Sequence, residues 1–317
     1  MDNKKKITIA VPCYNEEKNI PILLGRMIPV VDELPYSVEI VFTDNCSTDG
    51  TVDVLRQYAI NDKRIKVLVN RRNYGITGRS GQNSRKYFTG DAIINMASDL
   101  QDPPELIPEF LKYWEEGYKV VCGKKIGSKE GAIKYGCRSL YYKIIKSLSS
   151  TPQYEHISGI NLYDRDVMNE LLKVDYDFYF RFAIADMGDD VKFVPYKQDK
   201  RIHGRSSYNV LKYFSFAITS MVTTSNAPLR FMTLSGMTMG LFSFVVGGSY
   251  LIYKLVYWDR FQAGSAPLLI GFFFIGSVLL FSIGIVGEYI GIILEKVTNK
   301  PDVQLKETIN IDEELLK

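Results

Sequence analysis

Apolar and polar positions change character along this chain. From Ile7 to Met96, short apolar runs alternate with polar loops and amphipathic stretches: Ile7-Thr8-Ile9-Ala10-Val11, Val38-Glu39-Ile40-Val41-Phe42, Ile65 to Val69 and Ala92 to Met96 each read as a strand. Such near-continuous apolarity suits strands buried on both faces of a parallel sheet. Pro12 to Glu17 breaks the first run before a helix from about Asn19. Thr43 to Gly50 separates the second run from a helix through Tyr58, and the glycine-bearing stretch Asn73 to Gly81 leads into a third helix. This alternation predicts a doubly wound α/β sheet, with ligands beyond the carboxyl ends of the strands. After Lys124 the pattern is mixed, although Val191-Lys192-Phe193-Val194-Pro195 reads as a late edge strand. Ala132 to Leu148 is apolar at helical spacing with Lys134, Arg138, Lys143 and Lys146 interleaved, which suits either a membrane-interface helix or a surface helix with a solvated face. Tyr208 to Val222 is amphipathic and is expected to lie along a membrane interface. Phe231–Tyr253 and Leu268–Gly287 then carry no charge, and each reaches the length of about 20 residues that a membrane core requires. The polar tail after Pro301 is expected to be flexible.

Charge adds orientation to this outline. A net +3 over 317 residues gives no argument for nucleic acid. Arg201, Arg205, Lys212 and Arg230 precede the first apolar span, Lys254, Asp259 and Arg260 lie between the two, and Lys296 and Lys300 follow the second. The bias places both ends in the cytoplasm, with the connection outside. Lys4 to Lys6 precede an apolar run that stops at Pro12, too short for a secretory signal, so the large domain is expected to stay cytoplasmic. Cys13, Cys46, Cys122 and Cys137 lack ligand spacing and read as small buried residues. The expected division is a catalytic domain over 1–205, a juxtamembrane helix and connection over 206–230, a two-helix membrane region over 231–295 and a cytoplasmic tail over 296–317.

The candidate chemistry lies after the strands. Asp44 can accept hydrogen bonds from a nucleobase or ribose, and Asn45 can donate and accept. Ser47, Thr48 and Asp49 suit either that site or the cap of the next helix. Asp99 and Gln101, one residue apart, would point the same way in an extended segment and offer oxygen ligands to Mg²⁺ or Mn²⁺ beside a diphosphate. Asp102, before Pro103 and Pro104, reads as a helix cap. Lys124 and Lys125 suit either diphosphate charge or a solvated strand end. Arg201 and Arg205, with Gly204 between them, suit either a lipid phosphate or anionic headgroups. His156 and His203 share no ligand pattern, and the absent glycine-rich dinucleotide fingerprint excludes an NAD enzyme.

In this order, Val11-Pro12-Cys13-Tyr14-Asn15-Glu16-Glu17, Phe42 to Thr51, Asp99-Leu100-Gln101-Asp102-Pro103-Pro104-Glu105 and Arg201 to Tyr208 resemble a family-2 glycosyltransferase of the polyprenyl-phosphate type. Pro228-Leu229-Arg230 and Gly287-Glu288-Tyr289-Ile290-Gly291 are similar to its bacterial two-span branch. The resemblance implies a GT-A, Rossmann-like fold, a nucleotide-diphosphate sugar donor that we expect to be UDP-linked, Mg²⁺ or Mn²⁺, an undecaprenyl-phosphate acceptor, the lipid bilayer as surroundings and a homotetramer. It implies that Pro12, Tyr14, Glu16, Asp44 and Ser98 meet the nucleotide, and that Asp99 and Gln101 serve the metal. Lys125, Arg138, Arg201 and Arg205 would meet phosphate or lipid, Arg201 taking part in catalysis with Asp99 and Gln101. The chain departs from the family pattern at Ala97, Asn45, Gly159, Asn161 and Ser207. Acids common in the family are missing at Ala97 and Gly159 and a lysine at Ser207, so the expectation of an active enzyme stands beside that of a membrane scaffold on a degenerate transferase fold.

Overall fold

The computed structural model describes residues 4–75, 79–126, 157–173, 188, 190–199, 227–257, 265–297, 302–312 and 315. Its first unit contains an eight-stranded sheet and the helices that cover it. In chain order the elements are β1 (Lys6–Cys13), α1 (Asn19–Asp32), β2 (Ser37–Asp44), α2 (Thr51–Asn61), β3 (Ile65–Asn70), α3 (Arg79–Arg85) and β4 (Ala92–Asn95). A short turn of 3₁₀ helix, Pro104–Leu106, leads into α4 (Ile107–Glu115), then β5 (Val120–Lys125), β6 (Ile157–Asp164), α5 (Arg165–Lys173), β7 (Val191–Tyr196) and, much later, β8 (Leu305–Ile309).

The strand order is β7-β5-β6-β4-β1-β2-β3-β8. β1 pairs in parallel with β2 and β4, and β2 with β3, as the apolar runs predict. The outer parts are mixed: β6 is antiparallel to β4 and β5, β7 is parallel to β5, and β8 is antiparallel to β3. β7 is an edge strand, as expected from its sequence. Alternation along the strands separates two apolar layers. Ile7, Ile9 and Val11 face one with Leu23, Leu24 and Met27 of α1, while Ala10, Val41, Leu68 and Ile93 face the other with Val167, Met168 and Leu171 of α5. α4 forms because Ile107, Phe110, Leu111 and Trp114 recur at helical spacing, and all four are buried.

The tail departs from expectation. β8 covers the β3 edge, and its neighbours are held by side chains. Arg56 meets both Glu307 carboxylate oxygens at 3.0 Å, and the Asn310 amide donates to the carbonyls of Ala59 and Ile65 at 2.7 and 2.8 Å. The strand escapes a sequence reading because Lys306, Glu307 and Thr308 dilute its apolar positions, as they do on an edge strand with one wet face.

The second unit contains α6 (Ala227–Val256) and α7 (Ser265–Val297). Phe274–Gly291 within α7 is long and apolar enough to cross a membrane, while the corresponding apolar run in α6 is the shorter Phe231–Phe242. Their large apolar side chains are exposed along both helices, among them Leu234, Leu241, Phe272, Leu280 and Phe281.

Candidate active site

The loops at the carboxyl ends of β1, β2 and β4 are bound to one another. Asn15 is the main link: its N–H donates to Ser47 Oγ at 2.9 Å, and its side-chain oxygen accepts from the Thr48 N–H at 2.8 Å. The Glu16 N–H donates to Thr51 Oγ1 at 2.8 Å, and the Gly50 N–H donates to Glu17 Oε2 at 3.2 Å. A Cβ at Gly50 would stand 2.8 Å from the Glu17 carboxylate, so a larger residue there would push that exposed side chain aside. Ser98 Oγ donates to the Pro12 carbonyl at 3.0 Å, which ties the β4 loop to the β1 loop. Three of the four described non-glycine residues with positive φ, Asn15, Cys46 and Leu100, lie in these loops. For Leu100, at φ 61°, this conformation costs on the order of 1 kcal/mol, and strain of this kind concentrates at functional sites.

Asp44 is fully buried, and its carboxylate accepts from the Ser47 N–H at 2.9 Å and from the Ser47 hydroxyl. Burial pushes its carboxyl above the usual range, partly opposed by the Ser47 donors. In this arrangement Asp44 builds the turn, and contact with a base would require that turn to open. Asp49 is not the cap expected of this segment: Gly50 holds the N-cap position of α2 with no side-chain cap, and Asp49, one residue earlier, accepts from the Thr51 N–H at 3.0 Å. Asn45, beside it, carries a network that the sequence does not disclose. Its Nδ2 donates to Asn73 Oδ1 and to the Gly75 carbonyl at 3.1 and 3.0 Å, and its Oδ1 accepts from the Tyr74 N–H at 3.0 Å. The β3 loop is therefore latched to the β2 loop. The tail reaches the same loop, where the Gln304 N–H donates to the Tyr74 hydroxyl at 3.0 Å.

Asp99 and Gln101 are half-buried, and they are brought together differently from expectation. The segment is a turn rather than an extended stretch, with Leu100 at positive φ and the Gln101 N–H donating to Asp99 Oδ1 at 3.2 Å. Asp102 does not cap the following helix, whose start carries no side-chain cap. It is 1% exposed and accepts a hydrogen bond from the Tyr196 hydroxyl. Burial raises its carboxyl, and Lys125 nearby opposes the rise. Pro12 and Tyr14 are exposed at the rim, Glu16 is half-buried, and Ser98 is spent on the Pro12 carbonyl. Arg138, Arg201 and Arg205, both histidines and the two amphipathic stretches lie outside the described residues.

Among the described residues no three His, Cys, Asp or Glu side chains gather as a metal cage. One carboxylate and one amide oxygen still fit Mg²⁺ or Mn²⁺ where phosphates and water complete the shell, because such ions need few protein ligands. Asp99, half-exposed beside Gln101 in a strand-end loop, meets that requirement.

Residues 8–176 match the glycosyl transferase family 2, and residues 227–293 match the GtrB C-terminal hairpin. The chain is 30% identical over 305 residues to the SfII prophage-derived bactoprenol glucosyl transferase of Shigella flexneri, covering 96% of this chain and 98% of that protein. It is 28% identical over 320 residues to the uncharacterized glycosyltransferase YkcC of Bacillus subtilis, covering 100% and 98%. A solved mannosyltransferase from Pyrobaculum calidifontis, in complex with GDP-Man and Mn²⁺, overlaps at a TM-score of 0.48 and 15% identity, covering 94% of this chain and 89% of that one. That overlap is too loose to carry chemistry across.

Proposed function

This chain belongs to glycosyl transferase family 2, and from that premise we propose that it transfers one sugar from a nucleotide-diphosphate donor to undecaprenyl phosphate at the cytoplasmic face of a membrane. The observation that carries the proposal is the presence, in one chain, of an interlocked strand-end site and of the matched hairpin 227–293. A hairpin of this family on the same chain suits an acceptor that stays in the bilayer, and the Shigella flexneri relative is named for glucosyl transfer to bactoprenol. On this reading α6 and α7 both cross the membrane, both ends of the hairpin are cytoplasmic, and four copies assemble.

The reaction asks little of a general base, because a polyprenyl phosphate is already anionic near neutral pH. Its oxygen displaces the nucleotide diphosphate in line at the anomeric carbon. Asp99 and Gln101 would hold Mg²⁺ or Mn²⁺, which supplies positive charge against the departing diphosphate. Lys125 adds a second positive charge from the end of β5, and Arg201 adds a third on the lipid side. The β1 and β2 loops, with Tyr14 at the rim, receive the nucleotide of a UDP-sugar.

Purified protein in lipid, given undecaprenyl phosphate, Mn²⁺ and a mixture of UDP-, GDP-, CDP- and dTDP-sugars, is expected to yield one lipid-phosphate monosaccharide by mass spectrometry. Exclusive use of a donor other than UDP would overturn the nucleotide reading and leave the lipid acceptor standing. The absence of product with every donor would favour the second reading, a catalytically inactive binding protein. That reading draws on Ala97 and Gly159, two positions where the family carries acids. Steady turnover would dismiss it.

A further inference from the structure

We propose that Asp102 is the positioning residue of the Asp99–Gln101 turn, and that it takes this place because residue 159 is glycine. The inference rests on the glycosyl-transfer reading and adds to it a role for Asp102, which the sequence offers only as a helix cap. β4 and β6 run antiparallel with Asn95 opposite Asn161. Two residues further on, Ala97 and Gly159 face each other closely enough that a Cβ on residue 159 would lie 3.7 Å from the Ala97 Cβ. The same Cβ would lie 2.7 Å from Asp102 Oδ2, closer than real contacts allow. The Asp102 carboxylate therefore rests on bare Gly159 backbone, in the notch left by two small residues.

The opposite side of that carboxylate is held as well. The Tyr196 hydroxyl donates to Asp102 Oδ1, Tyr196 is 5% exposed, and it stands in register with Lys125 across the β5–β7 pair. One residue before Asp102, the Gln101 carbonyl accepts from the Asp199 N–H at 3.0 Å, and the Gln101 N–H reaches Asp99 Oδ1 at 3.2 Å. The turn with Leu100 at positive φ is thus fixed on its far side by one side chain and one carbonyl. An asparagine at 102 would offer the Tyr196 hydroxyl a neutral amide oxygen in place of a carboxylate, a weaker acceptor and so a looser anchor for the turn. Through the Gln101 N–H bond to Asp99 Oδ1, the anchored turn orients the aspartate that the proposed reaction uses.

The test uses the full chain in lipid nanodiscs with three variants, Asp102→Asn, Tyr196→Phe and Gly159→Ala. Peptide-resolved hydrogen exchange needs no substrate, so it judges the proposal even if the donor or acceptor reading fails. Faster exchange over residues 98–102 in all three variants, with β1 and β2 unchanged, is expected. Unchanged exchange over 98–102 in Asp102→Asn and Gly159→Ala overturns the proposal. Where turnover is measurable, kcat should fall about tenfold in Asp102→Asn, with KM for undecaprenyl phosphate within twofold. Gly159→Ala should cost less in the Asp102→Asn background than in the wild type, because both act on the same anchor. Additive losses in the double variant, or a Gly159→Ala enzyme with wild-type kcat, would also overturn it. Tyr196→Phe keeps the ring packing and guards against a variant that fails merely by misfolding.

Discussion

Glu39 illustrates how a single side chain can bind distant parts of this sheet. It sits on β2 at 2% exposure and accepts from Thr8 Oγ1 at 2.6 Å, from the Thr89 N–H at 2.7 Å and from Lys66 at 3.0 Å. Burial alone would raise its carboxyl, but these donors outweigh burial and hold it down at about 2, against 4.5 for a free side chain. A group depressed in the folded state stabilises it fully above the unfolded value, and loses that contribution as pH falls from 4.5 toward about 2. The contribution is worth about 3 kcal/mol. Glu39→Gln should lower stability near neutral pH by about that amount and flatten the loss on acidification, as followed by Trp114 fluorescence. An unchanged acid profile would assign the effect to other carboxylates. Asp99 is the corresponding test of chemistry: Asp99→Asn keeps the turn bond from Gln101 yet should remove most turnover and weaken Mn²⁺ binding measured directly by electron spin resonance. Activity within twofold of wild type would defeat its role. Asp99 stands out in the sequence as an acid in a strand-end loop. The contribution of Asp102 does not, because it depends on what is absent at 159, on the neighbouring strand β6 but more than fifty residues on in the chain.

At the scale of elements, the site is made by latches between loops rather than by any one strand. Asn45 joins the β2 loop to the β3 loop through the Asn73 side chain, the Gly75 carbonyl and the Tyr74 N–H. Asn45→Ala removes all three and should speed hydrogen exchange at Tyr74 and Gly75 while raising KM for the donor. It should lower global stability by about 1 kcal/mol or less per lost bond. A variant with wild-type exchange in this loop would show that the tail alone holds it. The central strands are legible because Ile7 to Val11 and Val38 to Phe42 are apolar on both faces and end abruptly at Pro12 and Asp44. β5 and β6 are not, since Val120-Val121-Cys122 is a brief run and Asn161 and Asp164 interrupt the other. The latches are less legible still. Asn45 and Asn73 are ordinary loop residues in sequence, and only the parallel pairing of β2 with β3 brings them together.

Across the whole molecule, the β-sheet unit is assembled from parts of the chain that lie on both sides of α6 and α7. β8 brings Glu307 to Arg56, Asn310 to the end of α2, and Asp312 to within 3.3 Å of Lys66, itself paired with Glu39. A protein ending at residue 300 should lose several kcal/mol of stability through these contacts together. It should also aggregate through the bare β3 edge, read by thermal melting and light scattering in the same detergent. Equal melting and scattering for the two proteins would reduce β8 to a passive appendage. The position of this strand has a further consequence for synthesis. The ribosome makes both apolar helices before it makes β8, so they are available to the membrane while β3 still presents unpaired backbone donors and acceptors. From Asn70 to Leu305, at about 5–20 residues per second, that edge stays open on the order of tens of seconds. Closure of the sheet is thereby delayed until the hairpin has been translated. A chain stalled partway through the hairpin offers quality control an unfinished edge, so no complete sheet is released ahead of the hairpin.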